Sequence, residues 1–361
     1  MSQPDRLALG LISGTSMDGI DAALIETDGE LVGARRGAIT LPYPPALRTE
    51  LLAIARDPAR ATEPLDDIEA AVTQANAVAA RAVIQQAGLT ADAVAVVGFH
   101  GQTVLHRPER RFTRQIGDGA LLAWLLGIDV IAGFRLADVA AGGQGAPLAP
   151  LYHAALARDL AKPLAVLNLG GVANVTFLDG ATVTAFDTGP ASAMIDDWVR
   201  RHTGRPFDED GRIAASGQVD QARLARLLAH PFFALRPPKS LDRNDFPLTA
   251  IEGLSLPDGA ATLAAFTVAS IAASRAHLPA SPRRWLVTGG GRHNATLMTG
   301  LAAALAAPVE PVESVGWDGD ALEAELFGFL AIRSLRGLPL SLPSTTGVPA
   351  PMPGGVIYRA G

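Results

Sequence analysis

The chain has 361 residues, with 30 Lys and Arg against 36 Asp and Glu for a net charge of −6. It therefore lacks the clustered cations that non-specific nucleic-acid binding requires. Cysteine is absent, which excludes disulfides, thiolate zinc sites, iron–sulfur clusters and cysteine nucleophiles together. At 48% hydrophobic and 18% charged residues, this length suits one large globular domain or two ordinary ones.

The first residues, Met1-Ser2-Gln3-Pro4-Asp5-Arg6, show no cationic segment followed by an apolar run and a cleavage site. The most apolar stretches, 120–128 and 260–273, fall short of the roughly 20 residues a membrane span needs. The expectation is a cytoplasmic protein with neither a membrane nor a nucleic-acid partner.

In chain order, Leu7, Leu9 and Leu11 alternate with small residues and predict a strand over 6–13. Gly14-Thr15-Ser16-Met17-Asp18-Gly19 is a turn rich in glycine and hydroxyls. Further strands are expected over 20–26 and 36–41, and an alanine-rich helix over 66–87. A buried-type strand over 94–99 runs into His100-Gly101-Gln102-Thr103.

From residue 164 the pattern recurs: strand 164–169, glycine turn Gly170-Gly171-Val172-Ala173-Asn174, strand 175–178, turn Asp179-Gly180, strand 182–186. Asp187-Thr188-Gly189-Pro190 follows, then a helix over 191–202. Strand–turn–strand–turn–strand thus occurs twice, and such a duplication implies two related domains facing each other across a cleft. Later come a helix over 260–276, a strand over 285–288 running into Gly289-Gly290-Gly291, and helices over 295–307 and 320–335. The proline-rich tail from Leu338 is either disordered or a strap returning to the first domain.

Each glycine turn by itself is an ordinary loop. Three of them at strand ends favour a nucleotide site, because exposed backbone N–H groups cradle phosphate oxygens. A carboxylate in the first turn, Asp18, can hold Mg²⁺ directly or through water. The chain has only two lysines, Lys162 and Lys239, and neither follows a glycine. A Gly-x-x-x-x-Gly-Lys-Ser/Thr loop and a protein-kinase lysine strand are therefore absent, as is Gly-x-Gly-x-x-Gly after a strand. Asp187 is placed either as a general base at a strand end or as the N-cap of the next helix. Glu323 reads as part of a solvated helix face with Asp320 and Glu325. His100 and Gln102 either bond a sugar or end their strand.

Ser13-Gly14-Thr15-Ser16-Met17-Asp18-Gly19-Ile20-Asp21 closely resembles the opening signature of the anhydro-N-acetylmuramic acid kinases. Further matches follow in order: His100-Gly101-Gln102-Thr103, Gln115-Ile116-Gly117-Asp118, Phe134-Arg135-x-x-Asp138, Gly142-Gly143-Gln144-Gly145-Ala146-Pro147-Leu148, Asn168-Leu169-Gly170-Gly171, Asp187-Thr188-Gly189-Pro190, Asp208-x-x-Gly211, Pro237-Pro238-Lys239-Ser240, Gly289-Gly290-Gly291-x-x-Asn294 and Glu323-Ala324-x-x-Phe327. So many ordered motifs over nearly the whole chain are highly specific.

The resemblance implies a duplicated RNase H-like α/β fold of the actin and sugar-kinase type, with two domains and a central cleft. The expected domains are 1–138, with the tail 350–361 packing on it, and 139–349. It also implies that 1,6-anhydro-N-acetylmuramic acid, ATP and water give N-acetylmuramic acid 6-phosphate and ADP. Asp187 is then the base that deprotonates the attacking water. Gly14, Thr15, Ser16, Met17, Asp18, Gly19, Ile20 and Asp21, with Gly170, Gly171, Gly289, Gly290 and Gly291, hold ATP and its Mg²⁺, with Asp18 nearest the ion. His100, Gln102, Arg135, Asp138 and Glu323 hold the amino sugar, and a homodimer is implied. Departures from the family pattern stand at Phe99, Ala191-Ser192 and 241–245. Two other readings share the fold: a nucleotide-gated interaction protein of actin or chaperone type, and a kinase of another sugar or an acetate-like substrate.

Overall fold

A computed structural model of the chain describes residues 6–14, 17–241 and 245–361. Residues 1–5, Thr15 and Ser16 of the first glycine turn, and 242–244 of the divergent stretch lie outside the described residues.

The alternating leucines build β1 (Arg6–Ser13), antiparallel to β2 (Gly19–Thr27), which is antiparallel in turn to β3 (Val32–Pro42). Asp28 closes the second turn, its Oδ1 accepting the N–H groups of Glu30 and Leu31 at 2.8 Å each. β4 (Val96–Arg107) lies parallel to β1 on its other side, and β6 (Val130–Ala132) lies parallel to β4. The crossover helix Asp66–Gln86 seats Val72, Ala79, Ala80 and Val83 in the core beneath this sheet. β5 (Phe112–Ile116) pairs antiparallel with the far half of β4. That pairing prolongs β4, so His100-Gly101-Gln102-Thr103 lies inside the strand instead of after it.

The second sheet repeats the plan. β7 (Leu164–Leu169), β8 (Val172–Asp179) and β9 (Thr182–Pro190) form the antiparallel meander. β10 (Arg284–Thr288) runs parallel to β7, and β11 (Val309–Pro311) parallel to β10. The strand orders β6-β4-β1-β2-β3 and β11-β10-β7-β8-β9 are one order written twice, a meander followed by two parallel strands reached through crossovers. The duplication therefore covers five strands, two more than the repeating turns reveal.

The chain divides into two compact units, Met1–Arg158 with Ala321–Gly361, and Asp159–Asp320. This corrects the expected boundaries at 138 and 349. The reason is the helix Leu322–Leu335, which packs on β1, β2 and β4 of the first unit. Two glycines admit it. A Cβ on Gly10 would stand 1.8 Å from the Ala324 carbonyl oxygen, and one on Gly98 2.0 Å from that of Phe327. Backbone rests directly on backbone there, which no side chain permits. The tail then folds back, and β12 (Val356–Tyr358) pairs antiparallel with β6.

The second unit is centred on the helix Leu256–Ser274, whose Leu263, Phe266 and Ile271 are buried. With the turn that follows, the stretch Leu256–His277 has 22 residues, and an 18-residue window within it has a mean hydropathy of 1.3, long and apolar enough to cross a membrane. This corrects the shorter length read from the sequence. The helix packs on β9 and on the helices Ser192–Thr203, Gln221–Leu228 and Ala295–Ala304, which is why it is apolar nearly all round.

Candidate active site

Asp187 sits within β9, opposite Asn174, and the strand continues to Pro190. The following helix starts after Ala191 with no side-chain cap, so the N-cap role does not apply. Between Asn174 and Ala173 the pairing skips Thr188, a one-residue bulge of the kind that re-aims a neighbouring side chain. The Asp187 N–H donates to the Lys239 carbonyl at 3.0 Å, and Leu241 N–H donates to Asp187 Oδ2 at 2.8 Å. The residue as a whole is partly exposed. Burial pushes that carboxyl up to about 7, outweighing the Leu241 N–H and the Lys239 charge that favour ionisation. The Lys239 ammonium is itself held elsewhere, donating to the Phe232 carbonyl at 3.1 Å and lying 4.4 Å from the Phe232 ring centre.

Two of the three glycine turns come together in this second unit. β7 and β10 pair Asn168 with Thr288, which brings Asn168-Leu169-Gly170-Gly171 beside Gly289-Gly290-Gly291. Gly289 has φ +79°, and a Cβ there would meet Asn168 Oδ1 at 2.3 Å. The Gly170 and Gly171 carbonyls accept the N–H groups of Ser192 and Ala191, at 3.0 and 3.1 Å, and so hold the start of the next helix. The expected turn is shorter than read, since Val172, Ala173 and Asn174 already belong to β8. Arg292, a residue the sequence did not single out, braces the second turn. Its buried guanidinium donates to the Gly289 carbonyl at 3.1 Å and pairs with Glu313 and Asp320 at 2.8 Å each.

The first unit carries the other candidates. His100 lies on β4 with its ring 4.6 Å from that of Phe327, and Arg135 Nε donates to His100 Nε2 at 3.0 Å. Glu323 is exposed one helical turn before Phe327 on the same helix face, and its charge acts on the Arg135 guanidinium. Burial nonetheless lowers Arg135 to about 10. The structure thus groups His100, Arg135 and Glu323, with Phe327 beneath them. The i, i+4 spacing of Glu323 and Phe327 was the available signal for that fourth residue. Glu325, read as part of the solvated face, is buried and accepts the Tyr152 hydroxyl at 2.7 Å.

Two other residues expected at the sugar are buried and hydrogen-bonded within the first unit. Gln102 is fully buried and its Nε2 donates to the Gly14 carbonyl at 3.3 Å, tying β4 to the first glycine turn. Its Oε1, opposite Ser13 in the β1–β4 register, has no hydrogen-bond partner among the described residues. Asp138 is 2% exposed, with its carboxylate oxygens held by Gly145, Ser341 and Thr346.

At the first turn, Met17 adopts φ +55° and its N–H returns to the Gly14 carbonyl at 3.1 Å. Gly19 and Ile20 open β2, and Asp21 accepts the Thr40 hydroxyl at 2.6 Å. Asp18 is exposed and ion-paired with Arg48, whose Nε also holds the Met17 carbonyl. Among the described residues no three His, Asp or Glu side chains converge on one point. The Arg48 guanidinium therefore shares the Asp18 carboxylate with whatever cation approaches it from solvent.

Two α/β units of one strand order, with glycine turns at their strand ends, define the fold of the sugar-kinase and actin class. The chain belongs to the anhydro-N-acetylmuramic acid kinase family, whose profile matches residues 6–360. The anhydro-N-acetylmuramic acid kinase of Acidiphilium cryptum is 59% identical over 359 residues, covering 98% of each chain. That of Rhodospirillum rubrum is 54% identical over 356 residues, covering 98% of this chain and 94% of its own. Among solved structures, the (R)-2-hydroxyglutaryl-CoA dehydratase component A of Acidaminococcus fermentans aligns over 91% of this chain and 99% of its own, at 12% identity and a TM-score of 0.48. The protein is an enzyme, a kinase of this family.

Proposed function

We propose that this kinase acts on 1,6-anhydro-N-acetylmuramic acid with ATP and water, giving N-acetylmuramic acid 6-phosphate and ADP in the recycling of cell-wall peptidoglycan. Asp187 takes a proton from the water whose oxygen attacks C1. The C1–O6 bond breaks and its electron pair goes to O6, which attacks the γ-phosphorus. The bond from that phosphorus to the β,γ-bridging oxygen then breaks and ADP leaves. A base working near neutrality needs a pKa near the operating pH, and the buried setting of Asp187 on β9 is the observation that carries this reading.

The glycine turns hold the phosphates of ATP by their N–H groups, with Arg292 keeping the Gly289–Gly291 turn in shape. A Mg²⁺ ion accompanying the nucleotide would be held mainly by phosphate and water, the mode this ion favours, and would offset charge on the phosphates. His100, Arg135 and Glu323 bind the sugar, while Gln102 supports the first turn. A cytoplasmic homodimer completes the reading, and sedimentation of the purified chain tests its second half.

Product analysis from 1,6-anhydro-N-acetylmuramic acid, ATP and Mg²⁺ in ¹⁸O-labelled water decides the chemistry. One ¹⁸O at the anomeric position of a phosphorylated sugar is the expected result. ADP without a sugar phosphate overturns the reading in favour of an ATPase of another kind.

A further inference from the structure

We propose that the C-terminal strap positions the sugar-binding residues of the first unit, with Ser341 and Thr346 acting through Asp138 on Arg135 and His100. This rests on the reading that Arg135 and His100 hold the sugar.

The chain of contacts is continuous. Asp138 Oδ2 accepts the hydroxyls of Ser341 and of Thr346, the latter at 2.6 Å, and Oδ1 accepts the Gly145 N–H at 2.6 Å. The Gly145 carbonyl in turn accepts Arg135 Nη1 at 2.6 Å, and Arg135 Nε donates to His100 Nε2 at 3.0 Å. Arginine can only donate, so His100 Nε2 must be an unprotonated acceptor. The ring proton therefore sits on Nδ1, 2.9 Å from the Gly101 carbonyl. Burial first, then the Arg135 charge, keeps that imidazole well below its ordinary pKa, in agreement with the neutral tautomer.

The loop wraps Asp138 too closely for side chains. A Cβ on Gly143 would stand 2.2 Å from Asp138 Oδ1. The strap that supplies the hydroxyls is itself tied down. Leu340 N–H and Met352 N–H bond the carbonyls of Met352 and Ser341 at 2.7 and 2.9 Å, and Gln144 N–H bonds the Thr346 carbonyl at 2.7 Å. Ser341, Thr346 and Asp138 are all buried. Removing those hydroxyls leaves a buried acceptor unsatisfied, at a cost that favours any rearrangement supplying new donors. The nearest adjustable donors belong to the loop that orients Arg135.

The test compares Thr346→Val, Ser341→Ala/Thr346→Val and Thr346→Ser. In the double variant the KM for 1,6-anhydro-N-acetylmuramic acid is expected to rise about tenfold, the scale of one lost charge-assisted bond, with the KM for ATP unchanged. The ¹⁵N resonance of His100 Nε2 should move as its bond from Arg135 loosens. Thr346→Ser, which keeps the hydroxyl, should restore both readouts. An unmoved His100 resonance in Thr346→Val and in the double variant overturns the proposal, as does a parallel rise of both KM values with a lower Tm. If the wild-type enzyme does not turn over the anhydro-sugar, the proposed function fails by itself, and the His100 resonance still decides the positioning role.

Discussion

The backbone N–H of Leu241 meets Asp187 Oδ2 at 2.8 Å, so a loop more than fifty residues downstream orients the carboxyl on β9. One neutral donor aims the group without cancelling the cost of burying its charge. Burial therefore sets its basicity near neutrality.

Asp187→Asn keeps the shape and the Leu241 contact but cannot take a proton. We expect kcat on 1,6-anhydro-N-acetylmuramic acid to fall roughly a hundred- to ten-thousandfold, the usual weight of a general base, with the KM for ATP little changed. In the wild type, kcat/KM should rise with pH through an apparent pKa of about 7. Steady-state kinetics between pH 5 and 9 provide the check, and a flat profile would remove Asp187 from the role.

The same burial makes a prediction about stability. The carboxyl titrates near 7 in the folded chain against an ordinary 3.8. Between those values the folded state binds more protons than the unfolded one, so stability falls as pH rises from about 4 to about 7 and then levels off. Asp187→Asn lacks this loss and should be more stable above pH 7, by an amount on the order of a few kcal/mol. The two proteins should converge at acid pH. Urea unfolding at pH 4 and pH 8 distinguishes this from a pH-independent difference.

Gly98→Ala should destabilise the first unit by roughly 3 kcal/mol or more, at the upper end for an overpacked core. The added methyl would lie 2.0 Å from the Phe327 carbonyl oxygen. Because Glu323 and Phe327 ride on the displaced helix, the KM for sugar should rise along with the loss of Tm. Thermal unfolding and sugar kinetics on one preparation test both effects.

Arg292→Met removes the brace from the Gly289 carbonyl and separates Glu313 from Asp320. Those carboxylates remain open to solvent, so the stability cost should be modest, about 1–2 kcal/mol. The KM for ATP should increase severalfold with the sugar KM unchanged. A rise confined to the sugar would refute the assignment.

Much of this was legible in the sequence. β1 and the helix Asp66–Gln86 follow from alternation and alanine content within one residue of their ends. The duplicated meander follows from the spacing of Gly and Asp-Gly turns, because turn chemistry is local. Asp187 stood out beside its Thr-Gly-Pro, although its place inside β9 depends on pairing with β8, which no local pattern encodes. The helix Pro45–Arg56 went unread, although Leu47, Leu51 and Ile54 stand at helical spacing and Pro45 suits a first helical position.

By itself, then, the sequence determined the repeated three-strand meander, the glycine turns and the residues able to carry the chemistry, all set by neighbours within a few positions. Only the tertiary structure decided which unit owns the helix Leu322–Leu335, and which motif residues are buried. His100, Arg135 and Asp138 belong to the same ordered set of motifs, yet Asp138 is held by Ser341 and Thr346, about two hundred residues away in sequence. Burial and hydrogen-bond partnership are properties of the packed chain, and packing joins segments whose separation along the sequence leaves no periodic trace.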